Sequence, residues 1–261
     1  VTSSAFTVGN GTRQGGILSP CLFNRYIYDL LLLVSRQKVG CNIGGVFANV
    51  FAYADDIVLL APSWQALQAL LRVLENGILA IDMSCNTRKT VCMVFSPRQK
   101  RKVVSPHFPP LRLFGTDLLY VDNFKYLGHI IDNKLNDDAD IQREIRNLFT
   151  RANILTRRFS LCSQSVKVAL FKSYCISLYG CALWRNHTVS SLSKLRSCYH
   201  RCVKTFFGYK RHDSMTAVLF KLSIPSFNTL LHNSRCILRS QTVNCINSLL
   251  QACCSRVAAI I

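Results

Sequence analysis

The sequence predicts an α+β fold in which a strand-rich first half gives way to an all-helical second half, and three observations predict it. Between residues 46 and 131 apolar residues come largely in short runs broken by Gly, Pro, Asn and Asp, the pattern of strands and tight turns. After Asp140 they recur at helical spacing, at Ile141, Ile145, Leu148, Ala152 and Leu155, then at Val168, Phe171, Cys175 and Leu178. Charge changes at about the same place. Residues 1–150 hold 16 basic and 12 acidic side chains, whereas residues 151–261 hold 16 basic ones against the single acid Asp213.

Taken in order, Gly9, Gly11, Gly15 and Gly16 make the opening a loop. Ser19 and Pro20 then supply an N-cap and a first-turn proline, so a helix is expected from about Ser19 through the apolar run 22–34. Residues 46–53 and 57–61 read as two β runs separated by Ala54, Asp55 and Asp56, a tight hairpin with acids at its exposed tip. Pro62 and Ser63 close it, and Leu67, Leu70, Leu71, Leu74 and Ile78 mark an amphipathic helix ending near Asp82. A strand is expected over residues 90–95, a basic proline-broken loop over 97–110, and short strands over 111–131. The remainder is helical.

The length, 261 residues, allows one large domain or two of ordinary size. A hydrophobic share of 49% with only 17% charged residues excludes disorder and leaves enough to fill a core. The formal charge of +19 points to a polyanionic partner, nucleic acid before membrane. The most apolar run, residues 46–61, is too short to span a bilayer and carries Asp55 and Asp56, so no membrane span is expected. Thirteen cysteines spread through apolar segments of a chain without a signal peptide read as reduced, mostly buried thiols, which implies an intracellular location, nuclear or cytoplasmic. Adjacent carboxylates at a hairpin tip disfavour each other's ionisation unless cations neutralise them. A divalent metal does this best, although a bare Asp-Asp pair is as a rule a solvated turn.

Context changes that reading. Four blocks, GTRQGGILSPCLFNRYIYDL at 11–30, FAYADDIVLLA at 51–61, NTRKTVCMVF at 86–95 and FKYLGHIID at 124–132, resemble in order and spacing the later palm motifs of reverse transcriptases from non-LTR (LINE-type) retrotransposons. The stretch from Asp140 to Trp184, especially SLYGCALW, is similar to the thumb of these enzymes. The resemblance implies a partial right-hand polymerase palm of antiparallel hairpins and helices over 1–135, a helical thumb over 136–186 and a basic helical C-terminal region over 187–261.

It also implies an activity, RNA-directed DNA polymerisation from an RNA template, a DNA primer and deoxynucleoside triphosphates, with two Mg²⁺ ions about 4 Å apart. Asp55 matches the metal-ligating hairpin acid and Asp56 its neighbour; Lys89 matches the lysine beside the departing pyrophosphate. Arg13, Gln14, Gly15 and Gly16 match the loop against the nucleotide and template, and Phe124, Lys125, Tyr126, Leu127 and Gly128 the primer grip. From sign bias alone, Arg143, Arg146, Arg157 and Arg158 are expected to meet nucleic-acid backbone.

Departures from the family pattern set a further expectation. Family palms carry an earlier catalytic Asp and triphosphate-binding fingers, whereas this chain opens at Val1 downstream of both, with Asp29 the only acid before Asp55. An incomplete metal set and no activity from this chain alone are therefore expected. The rival readings are a non-catalytic nucleic-acid-binding remnant and a decayed transposon fragment. Cys198, Cys202 and His212, or Cys253 and Cys254, lack the spacing of a zinc site, and cysteines at i and i+4 on an apolar helix are usually core. Phe206, Phe207 and Tyr209 beside Lys204, Lys210 and Arg211 fit either base stacking or core packing.

Overall fold

The computed structural model describes residues 11, 13–43, 45–96 and 107–252. Within these, one compact unit gathers the described residues up to Cys92 with 107–120 and 246–252, and a second gathers 93–96 and 121–245. The expected basic residues 98–102 and the pair Cys253 and Cys254 lie outside the described residues.

The first unit is built around two helices, α1 (Ser19–Ser35) and α2 (Trp64–Ala80). Leu30 and Val34 of α1 meet Leu70, Leu74 and Ile78 of α2 in one core. An adjoining position of α2 adds Leu71 to a second core with Cys92, Leu111, Leu113 and Leu118. Each such side chain removed from water contributes roughly 1.5–3 kcal/mol, which holds the short strands where propensity alone would not. Those strands pair two by two. Strands β1 (Cys41–Ile43) and β2 (Val46–Ala48) are antiparallel, as are β3 (Val50–Tyr53) and β4 (Asp56–Leu59). Strand β5 (Val91–Cys92) runs parallel to β8 (Leu119–Tyr120), and β6 (Arg112–Leu113) pairs with β7 (Thr116–Asp117).

Three local expectations are corrected. Ser19 is the first residue of α1 and not its cap; Leu18 takes the cap position, and the Ser19 hydroxyl donates to Arg13 O at 2.5 Å. The run 46–53 is two strands, because buried Asn49 turns its amide nitrogen to the carbonyls of Val34, Gln37 and Val39 at 3.0–3.1 Å. It thereby ties the last turn of α1 and the segment that follows it to the start of the strands. The expected strand 90–95 shrinks to two residues: residues 87–89 are a turn, and the amide and hydroxyl of Thr90 both donate to Asn86 O, at 3.1 and 2.9 Å.

The second unit begins with a hairpin of β9 (Asn123–Tyr126) and β10 (His129–Asp132) and continues as helices α3 (Asp138–Phe159), α4 (Gln164–Tyr174), α5 (Val189–Phe207), α6 (Met215–Leu222) and α7 (Phe227–Val243). Thr188, Ser214 and Ser226 cap α5, α6 and α7 through their side-chain oxygens. Leu148, Phe171, Trp184, Leu195, Tyr199 and Phe227 are among the side chains of one large core. Phe206 is buried in it, and the half-buried Phe207 packs edge-on against Phe206 at 5.0 Å, which makes Phe206 core. Among the described residues no helix is long and apolar enough to cross a membrane.

Candidate active site and nucleic-acid interface

The acidic hairpin forms because β-branched and aromatic residues flank a two-residue turn. Tyr53 pairs with Asp56, so Ala54 and Asp55 make the turn, with Ala54 at φ +51°. Asp55 and Asp56 are both exposed, and neither carboxylate takes part in an ion pair or hydrogen bond among the described residues. Two adjacent, uncompensated carboxylates are hard oxygen donors suited to Mg²⁺, which is commonly held by one or two carboxylates together with substrate phosphates. Among the described residues no group of three His, Cys, Asp or Glu side chains joins them, so the donor set fits part of one metal shell and does not assemble two.

Arg13 to Gly16 form a tight turn closed by the Gly16 amide donating to Arg13 O at 3.0 Å, with Gly15 at φ +78°, a conformation that favours glycine. Arg13, Gln14 and Gly15 are exposed. Lys89 is exposed in the turn after Asn86, whose side-chain oxygen accepts its amide at 3.2 Å, and no ion pair joins Lys89 to Asp55.

Phe124 to Gly128 occupy the β9–β10 hairpin, with Leu127 and Gly128 at φ +45° and +84°, the primed turn that suits the strand twist. This turn is pinned from within its own unit. Tyr179 donates its hydroxyl to Leu127 O at 2.8 Å, and Asp140 accepts from the Ile130 amide at 2.9 Å while lying 3.1 Å from His129 Nδ1. Asp140 also accepts from Trp184 Nε1 at 2.8 Å and from Arg143 Nε at 2.6 Å. Burial alone would push its carboxyl up, but the donations from His129, Arg143, Ile130 and Trp184 outweigh it and hold the group well below the usual carboxylate range. Gly180 is required beside this clamp: it sits at φ +77°, and a Cβ there would lie 1.6 Å from His129 Cε1. The sequence reading missed the clamp. Its one legible signal is the alternation of charge at Asp140, Arg143 and Glu144 on α3.

That clamp also corrects the expected phosphate contacts. Arg143 is buried, its guanidinium spent on Asp140 and on Glu144 at 3.1 Å, with Glu144 completely buried and paired to Arg151 as well. A guanidinium so committed is not available to a polyanion. Arg146, Arg157 and Arg158 are exposed and carry no ion pair among the described residues. Cys198 and Cys202 are buried in the helical core, and the Cys202 thiol is pushed up by its hydrogen bond with Cys198 and by burial, which opposes metal ligation.

Residues 2–131 match the family model described as reverse transcriptase (RNA-dependent DNA polymerase). The chain is 33% identical over 144 residues to the Retrovirus-related Pol polyprotein from type-1 retrotransposable element R2 of Nasonia vitripennis, covering 51% of this chain and 14% of that protein. To the polyprotein of the type-2 element R2DM of Drosophila melanogaster it is 32% identical over 137 residues, 49% of this chain and 12% of that protein. The RNA-directed DNA polymerase from mobile element jockey of Drosophila funebris aligns at 25% identity over 222 residues, 79% of this chain and 23% of that protein, which carries the likeness into the helical unit. The chain thus spans less than a quarter of the length of these relatives. On the match over residues 2–131 and these relatives, the chain belongs to the reverse transcriptase family, that of non-LTR retrotransposons.

Proposed function

We propose that these 261 residues are palm and thumb parts of an RNA-directed DNA polymerase that extends a DNA primer on an RNA template from deoxynucleoside triphosphates. In this reading palm segments fill residues 1–135, the thumb 136–186, and a basic helical region 187–261. The observation that carries it is the exposed, uncompensated Asp55–Asp56 pair at a hairpin turn inside the stretch that matches the reverse transcriptase family. Reverse transcriptases generally use divalent metal ions, and Mg²⁺, when bound, neutralises charge on the transferring phosphoryl group. Asp55 and Asp56 would hold it. Arg13 to Gly16 would lie against the incoming nucleotide and template, Lys89 would meet the departing pyrophosphate, and the hairpin carrying Phe124 to Gly128 would orient the primer end.

Because the described residues bring no third acid to Asp55 and Asp56, we infer that the 261-residue polypeptide does not polymerise by itself. Primer extension with Mg²⁺ on an RNA template tests both statements. The isolated polypeptide should give no product, whereas the same segment exchanged into the Nasonia vitripennis R2 polyprotein should support extension that Asp55→Asn abolishes. Extension that survives Asp55→Asn in that chimera would refute the catalytic assignment and leave a nucleic-acid-binding role, favoured by the unpaired surface arginines, as the reading.

A further inference from the structure

Helices α3 and α5 enclose an open groove of about 490 Å³ whose lining carries no carboxylate. Its floor is Ile145, Phe149 and Cys198, and its rim on the α5 side is Ser190, Ser193, Lys194, Ser197 and Arg201. These rim positions fall at i, i+3, i+4, i+7 and i+11, one face of a helix, over about 16 Å of rise. Gln142 stands opposite on α3.

Three features make this a built donor surface. First, the hydroxyls of Ser190, Ser193 and Ser197 and the head groups of Gln142 and Lys194 make no hydrogen bond within the described residues. Helical hydroxyls usually fold back on the carbonyl four residues earlier, as Thr150, Thr156 and Ser173 do here. Second, every acid of the two helices is already engaged. Asp138 accepts from the Thr188 amide at 2.9 Å, Asp140 is filled by His129, Arg143 and Trp184, and Glu144 by Arg143 and Arg151, while α5 has none. Third, the Arg201 guanidinium lies 5.9 Å from the centroid of the Phe149 ring, a cation on an aromatic floor.

We propose that this groove binds a short run of single-stranded nucleic acid, its phosphates on Lys194, Arg201 and the serine hydroxyls and an unpaired base against Phe149. A single strand is favoured over a duplex because the aromatic floor is recessed between helices, where only a base free of its partner can present a face. The net charge of the chain, +19, favours a polyanion over other partners. This deepens the polymerase reading but does not depend on the metal site.

The test uses the full 261-residue chain and fluorescence anisotropy of labelled mixed-sequence 12-mers, as RNA and as DNA, single-stranded and duplex, over a range of salt. The double variant Lys194→Gln, Arg201→Gln should weaken single-strand binding and flatten the slope of log K against log salt by about 1.4. Phe149→Leu, which keeps an apolar floor, should weaken single-strand binding about tenfold and leave duplex binding unchanged. Arg157→Gln, Arg158→Gln removes equal charge outside the groove, and single-strand binding by that variant should keep its full dependence on Phe149. The groove assignment is overturned if the Lys194 and Arg201 variant, folded by circular dichroism, binds with unchanged slope. It is equally overturned if Phe149→Leu affects duplex as much as single strand, or if poly-glutamate competes as well as the oligonucleotide at equal charge. None of these results bears on Asp55, so failure of the groove leaves the polymerase reading standing, and extension independent of Asp55 leaves the groove standing.

Discussion

At the scale of single residues, the four arginines that the sequence presents as equivalent have two different roles. Arg143 compensates Asp140 and Glu144 in a nearly dry site, whereas Arg146, three residues on, is exposed. Removing one member of a buried ionic cluster leaves the others uncompensated, so Arg143→Gln should destabilise the helical unit by about 3–5 kcal/mol. Arg146→Gln should stay within about 0.5 kcal/mol. Urea unfolding at neutral pH distinguishes them, and equal midpoints would contradict the buried network. Asp140 adds a pH signature. Its carboxyl is held below the ordinary range, so its contribution is fully present above about pH 4 and is lost only as pH falls through its lower folded value. Wild-type unfolding midpoints followed from pH 7 to pH 2 should therefore fall in that acid window, and Asp140→Asn should lack this component of the fall. A variant with the same acid dependence as the wild type would mean that another carboxylate is responsible.

At the scale of elements, the two hairpins differ in what supports them. The β9–β10 turn is fastened by Tyr179, Asp140 and His129 from the same unit. The β3–β4 hairpin is a two-stranded sheet whose end, at Phe51 and Tyr53, is exposed, Tyr53 by 65%. A two-stranded ribbon is marginal alone, and an unpaired edge with exposed aromatics is a template for further pairing. Phe47 on β2 is exposed as well. The polypeptide should therefore self-associate in a concentration-dependent way, seen as early elution on sizing chromatography, and Phe51→Lys should reduce it. A monodisperse monomer across a tenfold range of concentration would show that the edge is protected.

At the scale of the whole molecule, sequence determined those features whose signals are local. The helix over 64–80 follows from apolar residues at helical spacing, and the acidic hairpin from β-rich residues on both sides of Ala54, Asp55 and Asp56, of which the structure puts Asp56 on the second strand. The change to helices after the hairpins was equally legible, because periodicity is a property of neighbouring residues. The candidate site was readable to the same extent: the turn that exposes Asp55 is local, and so is the turn of Arg13 to Gly16. What only the tertiary structure decided is which polar groups are already spent. Asn49 ends α1 from a position 15 residues beyond Val34, and Arg143 meets Asp140 in a pocket completed by Trp184, 44 residues past that carboxylate, and by Tyr179, 36 residues past the arginine. A buried charge or amide must find its partners wherever the packed chain brings them. No window along the sequence holds those partners together, so the pattern of charge reveals how many cations there are but not which of them remain free.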